Sequence, residues 1–109
     1  MPRVESQRER NNETMAAYLI ARVEVHDMEQ YKEYMALSPD ALAAFGGRFI
    51  VRGGASETLE GPQETRRLVV VEFPSLEQAK ACYASAQYQA AKAKRAGAAD
   101  MQMVVVEGA

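Results

Sequence analysis

Four short stretches of the chain are rich in apolar and β-branched residues, and each of them predicts a β-strand. Apolar and polar positions alternate most clearly at the end of the first stretch, which reads Ala-Arg-Val-Glu-Val. The second stretch is a five-residue run between two glycine pairs, and such pairs mark tight turns of the backbone. The predicted strands cover residues 17–25, 48–52, 66–73 and 101–106.

Between the first two predicted strands, apolar residues recur at helical spacing and predict an α-helix. Asp27 followed three residues later by Gln30 resembles a capping box and predicts the start of a helix. Pro39 has no backbone N–H, so with Ser38 as N-cap it predicts a kink or a restarted helix over residues 39–45. The first glycine pair ends this helix.

A second helical region lies between the third and fourth strands. Ser75 with Gln78 forms another capping-box-like start, and Ser85 is placed to cap a further helical segment that ends near Gly97. Residues 55–65 contain Gly-Pro and several polar residues, so they predict a loop between the second and third strands.

The resulting order, β-α-β-β-α-β, is typical of the split βαβ or ferredoxin-like arrangement. The predicted fold class is therefore α+β, with a four-stranded antiparallel sheet whose two helical regions cover one face. We expect one domain over residues 15–109. Residues 1–14 are polar and highly charged, and they predict a tail or an arm because they bury too little apolar surface to order alone.

Alternation along each strand assigns its side chains to the two faces of the sheet. The uniformly apolar set predicts the helix-covered face: Leu19, Ala21, Val23, Val25, Phe49, Val51, Val69, Val71 and Phe73. The opposite set mixes large apolar groups with charges: Tyr18, Ile20, Arg22, Glu24, Arg48, Ile50, Arg52, Leu68, Val70 and Glu72. Because exposed apolar patches usually mark interfaces, we expect two copies to pack open face to open face as a homodimeric α+β barrel.

Composition narrows the functional classes. The 109 residues carry a formal net charge of −2, which argues against a nucleic-acid-binding module. No apolar run reaches the length of a membrane span, and no signal peptide is apparent at the start of the sequence. The single His and single Cys argue against a His/Cys metal site and an internal disulfide, so we expect no metal and a cytoplasmic location.

Several motifs in a consistent order resemble the family of domain of unknown function 1330, in the dimeric α+β barrel superfamily. These motifs are Gly-Gly-Arg-Phe-Ile-Val-Arg-Gly-Gly from residue 46, Leu59-Glu60-Gly61, Glu72-Phe73-Pro74-Ser75, Ala81-Cys82-Tyr83-Ala84-Ser85, Tyr88-Gln89 and Arg95. Cys82 departs from the tryptophan that is frequent in the family. The resemblance implies a barrel dimer related to cofactor-free monooxygenases, isomerases and haem-degrading enzymes, without assigning an activity.

Three arginines are the main candidates for ligand binding. Arg48, Arg52 and Arg22 are predicted on the open face, where guanidinium groups can bind carboxylates or phosphates through two parallel hydrogen bonds. Alternatively, Glu24 and Glu72 neutralise them in a structural ion-pair network, because buried charges must be paired. An unpaired guanidinium beside a cavity would favour the binding interpretation.

Hydroxyl and carboxyl groups supply the remaining candidates. Glu72 and Tyr83 are the possible catalytic residues, although neighbouring arginines would keep Glu72 ionised. Tyr18, Tyr83, Ser85 and Tyr88 are predicted to help wall a pocket, alongside the alternative that the tyrosines are amphipathic core residues and Ser85 is a helix cap.

Two further residues are expected to be structural. His26 precedes the capping residue Asp27, and we expect it to be exposed and separate from the Asp27 carboxylate. Cys82 on the second helical region is predicted to be a small buried hydrophobic residue. The helix face over residues 89–95 is predicted to be solvated.

The sequence therefore predicts a homodimer that binds a small polar or anionic organic molecule in a cavity near the sheet. A reaction at this site, if there is one, is expected to be cofactor-independent, because the glycines flank a strand and do not form a phosphate-binding loop. The alternative is a non-enzymatic structural or interaction dimer, whose Arg/Glu network only stabilises the interface between two sheets.

Overall fold

A four-stranded antiparallel sheet covered on one face by three helices forms the described part of the chain, residues 15–109 of a computed structural model. Its elements are β1 (Ala17–Val25), α1 (Met28–Ala43), β2 (Arg48–Arg52), β3 (Arg67–Phe73), α2 (Leu76–Ala84), α3 (Ala86–Ala93) and β4 (Ala99–Glu107). The strand order β2-β3-β1-β4 places the first and third strands at the centre. The predicted ferredoxin-like α+β fold is confirmed. The predicted tail, residues 1–14, lies outside the described residues.

Three short-range caps start the helices as predicted. The Asp27 carboxylate accepts a hydrogen bond from the backbone N–H of Gln30 at 3.2 Å. The hydroxyls of Ser75 and Ser85 accept from the N–H groups of Gln78 and Tyr88, each at 3.1 Å. Each cap satisfies a backbone donor that has no partner within its helix, which fixes where the helix begins.

The predicted restart of the first helix is wrong, because α1 continues through Pro39. Ser38 is buried within the helix at 3% exposure and does not serve as an N-cap. Proline removes one helical hydrogen bond. Tyr31, Tyr34 and Leu42 pack into the core from both sides of this point, and such packing usually outweighs local helix propensity.

The core lies between the helices and the face predicted for them. Buried residues on β1 and β3 are Leu19, Ala21, Val23, Val71 and Phe73, and the helices contribute Tyr31, Tyr34, Leu42, Cys82 and Tyr88. Cys82 is 1% exposed, as expected of a small hydrophobic residue, and burial raises the pKa of its thiol. No helix among the described residues is long and apolar enough to cross a membrane.

A β-bulge in β2 changes the predicted orientation of its second arginine. Phe49 pairs with Val71, but the next pair joins Val51 to Val70, so one extra residue of β2 has no partner on β3. An extra residue moves all following side chains to the opposite face. Arg52 therefore lies on the helix-covered face.

The aromatic contact of Arg52 supports this correction. Its guanidinium stacks 4.2 Å from the ring centroid of Phe49, a residue of the partly buried layer packed on the core. The prediction that Arg48 and Arg52 share one face is wrong, as is the placement of Val51 among the helix-covered residues. Sequence alternation alone assumes a regular strand, and pairing with β3 introduces the irregularity.

The open face of the sheet exposes a broad apolar surface. Its edge residues Ile50, Val51, Val104 and Val106 are 41–47% exposed. The central strands add the half-buried side chains of Ile20, Leu68 and Val70. This set of seven residues is called the open-face patch below.

His26 joins the end of β1 to the start of β4. It is 46% exposed and its Nε2 atom lies 3.0 Å from Oδ2 of Asp100, while Asp27 is occupied as the cap of α1. The expected separation of His26 from Asp27 is confirmed. The hydrogen bond with Asp100 raises the pKa of His26 above its ordinary value of 6.5.

The His26–Asp100 pair predicts a pH-dependent contribution to stability. Because the pKa of His26 is raised on folding, the contribution is fully present below about pH 6.5 and is lost as pH rises through the folded value. Chemical denaturation across pH 5–9 should show the wild type more stable than Asp100→Asn at the acidic end only. A stability difference that stays constant with pH would contradict this assignment.

Candidate functional site

On the open face, Arg48 is neutralised by the predicted carboxylate. Its Nε donates to Oε1 of Glu72 at 2.8 Å, and a terminal nitrogen lies 2.6 Å from the same oxygen. The hydroxyl of Tyr18 donates to Oε2 of Glu72 at 3.3 Å. Both oxygens of this carboxylate are therefore engaged by neighbours on the same face of the sheet.

Arg22 is also paired, but with a residue of the loop. Its Nε lies 3.3 Å from Oε1 of Glu64, and Arg66 donates to the same carboxylate at 2.8 and 3.1 Å. Hydrogen bonds from the side chain and backbone of Arg66 lower the pKa of Glu64 to about 2. The alternative network named Glu24 and Glu72 as its acids; Glu72 pairs with Arg48, and Glu64 takes the place of Glu24 at Arg22, which sits opposite Leu68 and so lies beside the chain that enters β3.

A cavity of about 40 Å³ lies on the other side of the sheet, beneath the helices. Apolar side chains from all four strands form most of its wall, among them Leu19, Val23, Phe49, Val71, Met101 and Met103. Its polar lining comes from Arg52, Arg67, Ser38 and three tyrosines, Tyr31, Tyr34 and Tyr88. The cavity is therefore a largely apolar space with a few converging polar groups, which is typical of small-molecule sites.

The arginines at this cavity have no carboxylate partner among residues 15–109. Arg52 is exposed at the rim, where it stacks on the ring of Phe49. The Nε atom of Arg67 is buried and has no hydrogen-bond partner within the described part of the chain. These guanidinium groups contrast with Arg48, whose charge is balanced by a carboxylate.

Three positive charges converge near one tyrosine of the cavity. Burial raises the pKa of Tyr31, and the charges of Arg67, Arg95 and Arg52 act in the opposite direction. The guanidinium of Arg95 also lies 4.9 Å from the ring centroid of Tyr34. Two of these arginines, Arg52 and Arg67, line the cavity, so its polar side carries positive charge.

Two buried hydroxyls form a short hydrogen bond at the cavity wall. The Tyr34 and Tyr88 oxygens are 2.6 Å apart, and Arg95 donates to the Tyr88 oxygen at 3.3 Å. Burial raises the pKa of Tyr34 well above its ordinary value, so its hydroxyl stays protonated at neutral pH. The pair offers hydrogen-bond donors and no general base.

Two local contacts position Arg67 and the segment that carries Arg95. Gly53 has φ +73°, and a Cβ at this position would overlap the Arg67 guanidinium that packs against it. The side-chain amide of Gln30 donates to the carbonyls of Lys94 and Ala96 at 3.0 and 2.8 Å, which ties the segment carrying Arg95 to α1.

The predicted site residues fall into separate places. Arg52 and Tyr88 line the cavity, whereas Arg48, Arg22, Glu72 and Tyr18 lie on the open face. The two remaining residues lie elsewhere. Tyr83 borders a separate surface groove of about 520 Å³ with Lys80 and Val104, and Ser85 caps α3 while donating to the Cys82 carbonyl at 2.7 Å.

Sequence reasoning missed three polar residues that line the cavity, Arg67, Tyr31 and Tyr34. It also missed Arg95, which lies outside the lining and donates to Tyr88. Arg67 has the same alternation as Val69 and Val71, which would have placed it on the helix-covered face. Arg95 lies in the turn that follows α3, where its guanidinium reaches back to the Tyr88 hydroxyl. The expectation that the helix face over residues 89–95 is solvated is therefore wrong for Arg95, which is half-buried. No group of three metal-ligating carboxylate, imidazole or thiol side chains comes together within residues 15–109.

Comparisons with known proteins agree with this architecture. A family model described as "Domain of unknown function (DUF1330)" matches residues 16–109. No curated protein matches the chain at a significant level.

Solved structures share the fold at low sequence identity. The protein of unknown function RPA0582 from Rhodopseudomonas palustris superimposes with a TM-score of 0.70 at 20% identity, covering 100% of this chain and 94% of that chain. SnoaB, a cofactor-independent oxygenase from Streptomyces nogalater, gives a TM-score of 0.63 at 9% identity, and the match covers 87% of this chain and 94% of SnoaB. A dimeric ferredoxin-like protein of unknown function from Thermobifida fusca gives a TM-score of 0.58 at 20% identity, and the match covers 86% of this chain and 92% of that protein.

Proposed function

Because this chain belongs to the DUF1330 family, with a fold that its neighbours also adopt, we propose that it is a homodimeric barrel protein that binds a small anionic organic molecule. The binding site is the cavity between the sheet and the helices. The observation that carries this proposal is Arg67, whose Nε is buried beside the cavity without a partner among the described residues.

The energetic argument concerns uncompensated positive charge. Burying a cation is costly unless an anion or several hydrogen bonds offset the lost hydration. On the open face, Arg48 is paired with Glu72. Arg22 and Arg66 are both paired with Glu64, so a carboxylate offsets the charge of each of these arginines. At the cavity, Arg67 has no such partner among the described residues, and a bound carboxylate would supply both the charge and the acceptors.

The dimer rests on the open-face patch. Its seven large apolar residues form a contiguous surface that a second copy would remove from water. The ion pairs of Arg48 with Glu72 and of Arg22 with Glu64 leave that surface without a strong net charge. The dimeric state of the Thermobifida fusca neighbour is consistent with this assembly.

A reaction at the site, if one occurs, would be cofactor-independent and electrostatic. The described lining residues include no carboxylate and no imidazole, so proton abstraction by Glu72 is not supported by its position. Tyr34, Arg52 and Arg67 would instead stabilise negative charge that develops on a bound molecule. The fold is shared with the cofactor-independent oxygenase SnoaB, and this likeness of fold alone supports the proposal that a reaction here would need no cofactor.

Calorimetric titration with propionate and propionamide tests the proposed function. The two molecules have nearly the same shape, and only propionate carries a charge. We expect propionate to bind at least about tenfold more tightly, because a charge-assisted hydrogen bond contributes about 1.5–3 kcal/mol. Equal binding of both, or binding of neither, would overturn the proposal, and binding of neither by an intact dimer would support a purely structural role.

A further inference from the structure

We infer that the molecule bound in this cavity is a small oxo- or hydroxycarboxylate. Its carboxylate lies between Arg52 and Arg67, and its second oxygen accepts a hydrogen bond from the Tyr34–Tyr88 pair. This inference rests on the proposed function and specifies the ligand of that same site.

Volume limits the size of the ligand. A single buried water needs roughly 10–15 Å³ of this kind of space, and typical drug-sized pockets measure about 300–1,000 Å³. The cavity of about 40 Å³ is a few times larger than the minimum for water. It therefore suits an acid of a few carbon atoms and is too small for an extended ring system.

Register places the two cavity arginines side by side. Arg52 is opposite Val69 on the neighbouring strand, and Arg67 is two residues before Val69 on the same face. Such diagonal neighbours are about 7–8 Å apart at the backbone, within reach for two long side chains that converge on one group. A carboxylate between them accepts hydrogen bonds from both guanidinium groups, as its four acceptor sites allow.

The tyrosine pair provides the second contact. Each hydroxyl has one proton, and the 2.6 Å bond between Tyr34 and Tyr88 uses only one of the two. Arg95 donates to the Tyr88 oxygen and consumes an acceptor site, not a proton. One hydroxyl proton therefore has no acceptor among the described residues, and a carbonyl or hydroxyl oxygen of the ligand satisfies it.

The neutrality of these hydroxyls favours an uncharged second oxygen. Both belong to buried side chains that are 1–7% exposed, and the nearest guanidinium, Arg95, already donates to the Tyr88 oxygen. A second carboxylate placed there would lose its hydration and receive one neutral donor in return. A keto or hydroxyl oxygen costs far less to desolvate, so a monocarboxylate with one further oxygen fits better than a dicarboxylate.

Affinities for pyruvate, lactate, propionate and malonate test the inference. We expect pyruvate or lactate to bind about three- to tenfold more tightly than propionate, which is the range of one neutral hydrogen bond. Malonate is expected to bind more weakly than pyruvate. Titration calorimetry with each acid at constant ionic strength supplies the four dissociation constants.

A double variant, Tyr34→Phe with Tyr88→Phe, should abolish the preference for the second oxygen. The measured quantity is the ratio of pyruvate to propionate affinity within one protein, which a uniform change in carboxylate binding does not alter. Tyr34→Phe and Tyr88→Phe, made singly, each leave one free hydroxyl proton at a different oxygen, so at least one of the two should lower the ratio, and they serve if the double variant does not fold. Tyr83→Phe is the matched control, since Tyr83 borders a different groove.

The outcomes separate this inference from the proposed function. If propionate and pyruvate bind equally, or if malonate binds best, the inference is overturned while a carboxylate site remains. If the ratio exceeds about three in the wild type but persists in the double variant, the tyrosine assignment is overturned. If none of the acids binds, the proposed function itself fails.

Discussion

Arg67→Met is expected to weaken propionate binding by at least about tenfold while leaving the free energy of unfolding unchanged or slightly increased. The loss follows from removing a charge-assisted hydrogen bond of about 1.5–3 kcal/mol. Stability is preserved because Arg67 has no carboxylate partner in the described chain to leave behind, and its Nε is already buried without a hydrogen bond. An apolar side chain at this position relieves that cost.

Arg48→Met is the matched control for the Arg67 variant. It also removes one guanidinium, but from the open face, where the partner is Glu72 and the arginine side chain is 72% exposed. We expect propionate affinity to stay the same and stability to fall by less than about 1 kcal/mol, as for most exposed ion pairs. Calorimetric titration and urea denaturation of both variants distinguish the two roles. If Arg67→Met binds propionate normally but unfolds more easily, Arg67 is structural and the binding proposal fails.

Ile20→Glu is expected to convert the dimer into a monomer and to raise its dissociation constant at least about 100-fold. Ile20 lies at the centre of the open-face patch, opposite Val70 on β3 and Val104 on β4. In a two-fold dimer each substitution occurs twice, so two unpaired carboxylates are introduced at the interface. Desolvating each without a partner costs several kcal/mol, which readily exceeds a 100-fold change.

Leu37→Glu is the control variant, because it replaces a large apolar side chain by a carboxylate just as Ile20→Glu does. Leu37 is 44% exposed on α1, which covers the opposite face of the sheet, and we expect this variant to remain dimeric. Sedimentation velocity or light scattering at micromolar concentrations gives the molecular mass of all three proteins. A monomeric wild type would refute the dimer, and a dimeric Ile20→Glu would place the interface on another surface.

Local signals in the sequence were sufficient for the fold. Asp27, Ser75 and Ser85 cap helices where predicted, since each cap depends on residues only three positions apart. Alternation identified the buried face of β1 and β3 because both are regular central strands. Local signals failed at Pro39, where packing against α3 and the core holds the helix together.

The site was predicted less well, because its geometry depends on pairing between strands. The bulge in β2 arises where that strand meets β3, and nothing in its five residues specifies which one is left unpaired. Arg52 was therefore named as a candidate but placed on the wrong face. Arg67 and Arg95 were overlooked since a positive residue at the end of a strand or just after a helix is ordinarily solvated, and only the packed structure half-buries them and covers their Nε atoms.

The bulge also couples the length of β2 to the charge of the cavity. Two arginines four residues apart in a regular strand would point the same way, and both would belong to the open face. One unpaired residue sends Arg48 towards Glu72 and Arg52 towards the cavity. In evolutionary terms, deleting the extra residue would leave the two arginines three positions apart in a regular strand and still on opposite faces, whereas pairing all five present residues without a bulge would move a positive charge from the proposed ligand site to the proposed interface.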